Sequence, residues 1–120
     1  MTVTLNGLRT LIHPVDDLDA AKAWWTDYLG FPPYFDEPFY VGFEVAGYEL
    51  GLSPGESPDD GAFTYWGVED VQAAVDAAVA AGSAIVEEPH EVGEGIVTGA
   101  VRTPHTGIVG FIYNPHFKLP

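Results

Sequence analysis

The sequence predicts an α+β domain built from two βαβββ modules, and three observations carry that prediction. Val15-Asp16-Asp17-Leu18-Asp19-Ala20-Ala21 lines up with Val68-Glu69-Asp70-Val71-Gln72-Ala73-Ala74 at an offset of 53 residues. Each copy joins an apolar strand to a helical pattern through an acidic pair. One linker, Ser53 to Gly61, is rich in Pro, Gly, Ser and Asp and falls between the copies. The reading is a single domain over residues 1–120, with modules at 7–52 and 62–115 and the linker at 53–61. Neither half is large enough to be stable alone, so they are expected to pack together.

Leu8 to Val15 reads as the first strand. Asp17 is a suitable N-cap, because its carboxylate can accept from free N–H groups of the first helical turn. Leu18, Ala21, Trp25, Tyr28 and Leu29 then recur at helical spacing and predict one apolar face. Gly30 can end the helix in a left-handed conformation, and Pro32-Pro33 keeps it from restarting. A short strand is expected over Pro33 to Asp36. Phe39 to Val45 and Tyr48 to Leu52 form a hairpin about Ala46-Gly47.

In the second copy Phe63 to Gly82 holds an aromatic strand, the acidic pair Glu69-Asp70 and a helix from Val71 to Ala81 that ends at Gly82. Ala84 to Glu87 follows as a strand, Glu88 to Gly95 as a loop, and Ile96 to Arg102 as a strand. Thr103 to Gly107 is a turn whose backbone Pro104 and Gly107 favour, and Ile108 to Tyr113 closes the set.

Composition narrows the function. Four Lys+Arg stand against 18 Asp+Glu, a net charge of −14. Phosphate binding needs clustered cations, so no nucleic-acid partner is expected. The charge serves solubility or favours cationic and neutral ligands over anionic ones. No apolar run reaches the length of a membrane span, so no membrane partner is expected. The N-terminal stretch has no basic head before an apolar block, and the expected location is cytoplasmic. There is no cysteine, hence no thiolate ligand or nucleophile.

The doubled βαβββ pattern, with V-x-D before each helix and Leu29-Gly30 or Ala81-Gly82 after it, resembles the vicinal oxygen chelate superfamily. That superfamily includes glyoxalase I, extradiol dioxygenases, and the fosfomycin- and bleomycin-resistance proteins. Phe43-Glu44-Val45-Ala46-Gly47 leading to Leu50-Gly51-Leu52, and the turn Thr103 to Gly107, extend the likeness from Leu8 to Pro115. The resemblance implies a curved mixed sheet whose concave side holds a ligand, and commonly a homodimer. It also implies a divalent metal in the enzymatic members, held from the first and last strands of each half. Those places fall at Thr10, Phe63, Gly51 and Gly110, none of which is a usual metal ligand. No metal or other cofactor is therefore expected. A metal-dependent alternative would need atypical ligands such as His13, Glu44, Glu49 or His105.

Strand alternation puts His13 with Leu11 and Val15 on the helix side, opposite Thr10 and Ile12, so His13 reads as structural. Its counterpart in the second copy is Trp66. His90 and His105 read as exposed loop and turn residues, and the four histidines show no pairing that makes a metal motif. No serine lies in a G-x-S-x-G elbow, and no Gly-rich loop opens a helix. The expected pocket comprises Thr10, Ile12, Glu49, Gly51, Phe63, Tyr65, Ile108, Gly110 and Ile112. Glycines 51, 67 and 110 are expected to leave room in it. Glu49 beside Tyr65 is the candidate acid–base pair, the other reading of Glu49 being a rim carboxylate in water. Trp24 falls at the helix edge, where a subunit contact would place it.

Three functions follow. The first is a metal-free small-molecule-binding protein of the bleomycin-resistance type, sequestering a cationic or aromatic natural product as in antibiotic resistance. The second is a metal-dependent lyase, isomerase or dioxygenase, with a metal-free enzyme using Glu49 and Tyr65 as its variant. The third is an accessory module with a filled interior.

Overall fold

The computed structural model describes residues 3–54 and 61–117. Most of the expected linker, residues 55–60, and the tail 118–120 lie outside the described residues. The chain divides into two compact units, Thr10–Ala62 on one side and Phe63–Pro120 with Met1–Arg9 on the other. Each unit carries the same topology.

The first unit contains β1 (Leu8–Val15, from Thr10 onward), α1 (Leu18–Leu29), β2 (Phe35–Glu37), β3 (Tyr40–Val45) and β4 (Tyr48–Pro54). Its strand order is β2-β3-β4-β1, with β1 parallel to β4 and the other pairs antiparallel. The sequence signals act as expected at the helix ends. Asp17 Oδ1 accepts from the Ala20 N–H at 3.0 Å, and Gly30 sits at φ 83° with its N–H donating to Thr26 O. Ala46 and Gly47, at φ 52° and 91°, make the tight β3–β4 turn, a geometry that needs two left-handed residues. Val41, Phe43 and Leu52 form the core, covered by Leu18, Ala21, Trp25 and Leu29 of α1. Tyr28, expected in that stripe, is instead 71 % exposed and its ring stacks on Trp24 at 5.0 Å. Trp25 and Leu29 already cover the core beneath, so the Tyr28 ring turns outward.

The second unit contains β5 (Phe63–Gly67), α2 (Val71–Ala80), β6 (Ala84–Gly93), β7 (Ile96–Thr103) and β8 (Gly107–Tyr113). Its order is β5-β8-β7-β6, with β5 parallel to β8. Asp70 caps α2 as Asp17 caps α1, accepting from the Ala73 N–H at 3.0 Å. Val71, Ala74, Val75, Val101 and Phe111 are buried together. The expected loop from Glu88 is a correction: β6 continues through Pro89 and His90 to Gly93. Its pairing with β7 survives three register shifts, and an outer strand tolerates a proline and charges that read like a loop. Residues 3–9 join this unit, with Asn6 N–H donating to Gly67 O at 2.7 Å and Gly67 N–H to Gly7 O at 2.9 Å. Among the described residues no helix is long and apolar enough to cross a membrane.

Candidate small-molecule site

In each unit the strands have a helix face and an opposite face, and alternation sorts the residues between them. On β1 the buried residues are Thr10, Ile12 and Pro14, facing away from α1. His13 lies on the other side and stacks on Trp25 with ring centroids 6.1 Å apart. The parallel β1–β4 register sets Thr10 against Glu49 and Ile12 against Gly51. The residue across from Thr10 is therefore Glu49, with Gly51 two residues further along the same face beside Ile12.

Glu49 is the centre of the first unit's open face. Its Oε1 accepts from the Thr10 hydroxyl at 2.9 Å and from the Tyr40 hydroxyl at 2.9 Å. Its Oε2 accepts from the Tyr34 hydroxyl. A carboxylate offers about four lone-pair sites, so three donors nearly saturate it. Tyr34 responds in turn. Partial burial, then its hydrogen bond to Glu49, then the charges of Glu49 and Glu44 push its phenol well above the ordinary value. Phe35 and Phe39 extend the aromatic surface, their rings 5.9 Å apart, and Phe35 lies 6.1 Å from Tyr40. Phe39 and Tyr34 are exposed at 67 % and 63 %.

The second unit builds a similar cluster from different places. Tyr65 donates to Glu87 Oε1 at 2.5 Å and Thr98 to Glu87 Oε2 at 2.6 Å. His90 Nδ1 stands 3.5 Å from the same Oε2. Tyr65, expected to act with Glu49, has its carboxylate partner within its own unit. Phe63, Ile108 and Ile112 are half-buried along the unit's strands.

The glycines do not leave the room expected of them. A Cβ at Gly51 would collide with the Tyr40 hydroxyl, and one at Gly110 would lie 2.6 and 2.8 Å from atoms of the Tyr65 ring. At Gly67 it would meet the Arg9 guanidinium at 2.8–3.0 Å. The missing side chains admit the tyrosines and the arginine, which are themselves the floor of the face.

Tyr34, Tyr40, Glu87 and Thr98 were absent from the expected pocket. Tyr40 was recoverable, since it lies two residues before Gly42, which pairs with Gly51. Glu87 was not, because a register shift flanks it on β6. A cavity of about 350 Å³ lies elsewhere, at the start of α2, lined by residues including Glu69, Asp70, Pro89, His90 and Tyr113. None of the expected pocket residues lines it. Asp70 is committed there as the helix cap, and Glu69 accepts from the Asn6 amide.

Metal chemistry finds little purchase in these side chains. Among the described residues no group of three His, Asp or Glu converges closely enough to hold an ion. Thr10, Phe63, Gly51 and Gly110 supply one hydroxyl among them, and Glu49 is already engaged by three. The donor set does not fit the family's metal.

Comparison with known proteins gives three findings. A family model described as the Glyoxalase/Bleomycin resistance protein/Dioxygenase superfamily matches residues 7–109. No curated protein matches by sequence. Solved structures match in fold at low identity. Methylmalonyl-CoA epimerase in complex with methylmalonyl-CoA and NH4+ is 16 % identical, with TM-score 0.76 over 98 % of this chain and 100 % of that one. A single-site variant of the Streptomyces coelicolor methylmalonyl-CoA epimerase, bound to 2-nitronate-propionyl-CoA, is 15 % identical, with TM-score 0.75 over 98 % and 100 %. The Mn(II)-bound glyoxalase from Novosphingobium aromaticivorans is 18 % identical, with TM-score 0.71 over 93 % of this chain and 40 % of that one. At such identities the likeness establishes the fold.

Proposed function

The chain belongs to the glyoxalase/bleomycin resistance protein/dioxygenase superfamily, and within it we propose a metal-free, small-molecule-binding protein that takes a cationic or aromatic natural product. The observation that carries this reading is the Glu49 carboxylate, oriented by the hydroxyls of Thr10, Tyr34 and Tyr40 beside the exposed rings of Phe35 and Phe39. Aromatic faces attract an organic cation through their quadrupoles, and a fixed carboxylate supplies the opposite charge. The net charge of −14 adds a long-range pull in the same direction. Sequestration needs orientation and contact area, with no catalytic group. The reading includes a cytoplasmic homodimer, for which the Trp24–Tyr28 stack is an available surface.

The test is a thermal melt of metal-stripped protein with benzyltrimethylammonium, at fixed protein concentration. The expected result is a saturable rise, about 2.7 kcal/mol of stabilisation at a hundredfold excess over Kd, that disappears in Glu49→Gln. A rise with Zn²⁺, Ni²⁺, Mn²⁺ or Fe²⁺ that vanishes in Glu49→Ala or His13→Ala would replace this reading with a metalloenzyme. Glu49 also suits a second reading, in which the same held carboxylate abstracts a proton from a bound ligand. Deuterium exchange into ligand carbon, lost in Glu49→Gln, would establish that activity.

A further inference from the structure

We propose that Arg9 is an anchor for a carboxylate group of a small ligand, on the Tyr65 face of the second unit. This rests on observations separate from the Glu49 cluster. The chain holds four Lys+Arg among 18 acidic residues, so a cation finds an acidic partner easily. The ion pairs among the described residues are Lys22–Asp36 and His90–Glu87. Arg9 takes part in neither, and its guanidinium makes no hydrogen bond among them. It is nonetheless half-buried and held in place.

The local chain explains how. Residues 6 and 7 pair with Gly67 at the end of β5, which delivers Arg9 to the same strand end. Gly67 has no side chain, and the guanidinium occupies that space: Nη2, Cζ and Nε all lie within 2.8–3.0 Å of where a Cβ would be. Alternation along β5 assigns that space to the face of Phe63 and Tyr65. The Phe117 ring covers the group as well, with Cζ 3.8 Å from its centroid. An arginine packed through its flat faces keeps its donors at the edge of the plane, which is how guanidinium groups bind carboxylates through two parallel N–H···O bonds.

The ligand class follows from charge and surroundings. Gly67 pairs with Ile112, and Tyr65 with Gly110, so the surface beside Arg9 is apolar and aromatic as far as the Tyr65 hydroxyl, which is bonded to the Glu87 carboxylate. A single carboxylate on a flat apolar body matches it. A phosphate dianion meets more repulsion from the surrounding net charge of −14. The second unit thus favours an anionic group that overall composition argues against.

The experiment uses benzoate as the probe on the full chain. The sequence has two arginines, Arg9 and Arg102, so side-chain Nε–H resonances give one reporter and one exposed control. The expected result is a saturable shift of the Arg9 signal, with Arg102 unmoved. Arg9→Lys, which keeps the charge but loses the fork, should bind about tenfold more weakly or worse. Arg9→Gln should abolish the benzoate-induced rise in Tm while leaving the benzyltrimethylammonium response intact, which separates this proposal from the Glu49 reading. If Arg9→Gln does not fold, the wild-type resonances and Arg9→Lys decide. An unmoved Arg9 signal, equal shifts of both arginines, or equal affinity for inorganic phosphate would each overturn the proposal.

Discussion

In the first unit the central carboxylate stands on β4 and collects hydroxyls from β1, β3 and the segment before β2. In the second unit it stands on β6, the outermost strand, and collects hydroxyls from β5 and β7. The backbone plan repeats while the polar arrangement is assembled again from other positions. Tyr65 occupies the place of Ile12, and Phe63 the place of Thr10, as the registers against Gly110 and Gly51 show. Topology depends on a pattern of apolar residues and caps that many sequences satisfy. A half-buried carboxylate asks only that donors share its face, whichever strand supplies it. The helices differ in the same way. α2 buries Val71, Ala74, Val75 and Ala77, while α1 covers its strands with Leu18, Ala21, Trp25 and Leu29, none of them fully buried.

The largest test of this contrast lies in the cores. Phe43 and Val101 occupy matching places on β3 and β7, both fully buried. Phe43→Ala should cost about 3–5 kcal/mol of unfolding free energy, and Val101→Ala about 2 kcal/mol. Urea unfolding measures both, and equal losses would mean that the two cores are packed alike despite the difference in residue size.

A smaller effect comes from the carboxylates. Glu87→Ala should cost about 1–3 kcal/mol by taking the carboxylate away from the buried Thr98 hydroxyl. Glu49→Ala should fall toward the lower end of that range, because one of its donors, Tyr34, is exposed and can bond water instead. The reverse order in denaturant midpoints would show that Glu49 holds its face together more than Glu87 does.

The smallest effect is confined to alkaline pH. The phenol of Tyr34 is raised in the folded state above its ordinary value near 10, so the unfolded chain releases that proton first. Its contribution to stability is complete below pH 10 and declines as pH rises toward the folded value. Stability measured across that range should fall less steeply in Tyr34→Phe. An unchanged slope would mean that burial and the Glu49 contact do not raise the phenol in the folded state.

The sequence by itself determined the two modules, both helix starts, the β3–β4 turn and the face that carries Thr10, Ile12 and Glu49. These follow from short-range rules: caps at Asp17 and Asp70, left-handed backbone at Gly30 and Gly47, and the two-residue alternation of strands. Tertiary structure alone decided what fills the face. Tyr40 over Gly51, Tyr65 over Gly110 and Arg9 over Gly67 are contacts between strands, where register and rotamer set which side chain enters a glycine's space. The Glu87 cluster depends on register shifts in β6, which displace a residue across the sheet without leaving any periodic mark in the chain. Local pattern places a side chain on a face, and only the packed neighbours determine what it touches there.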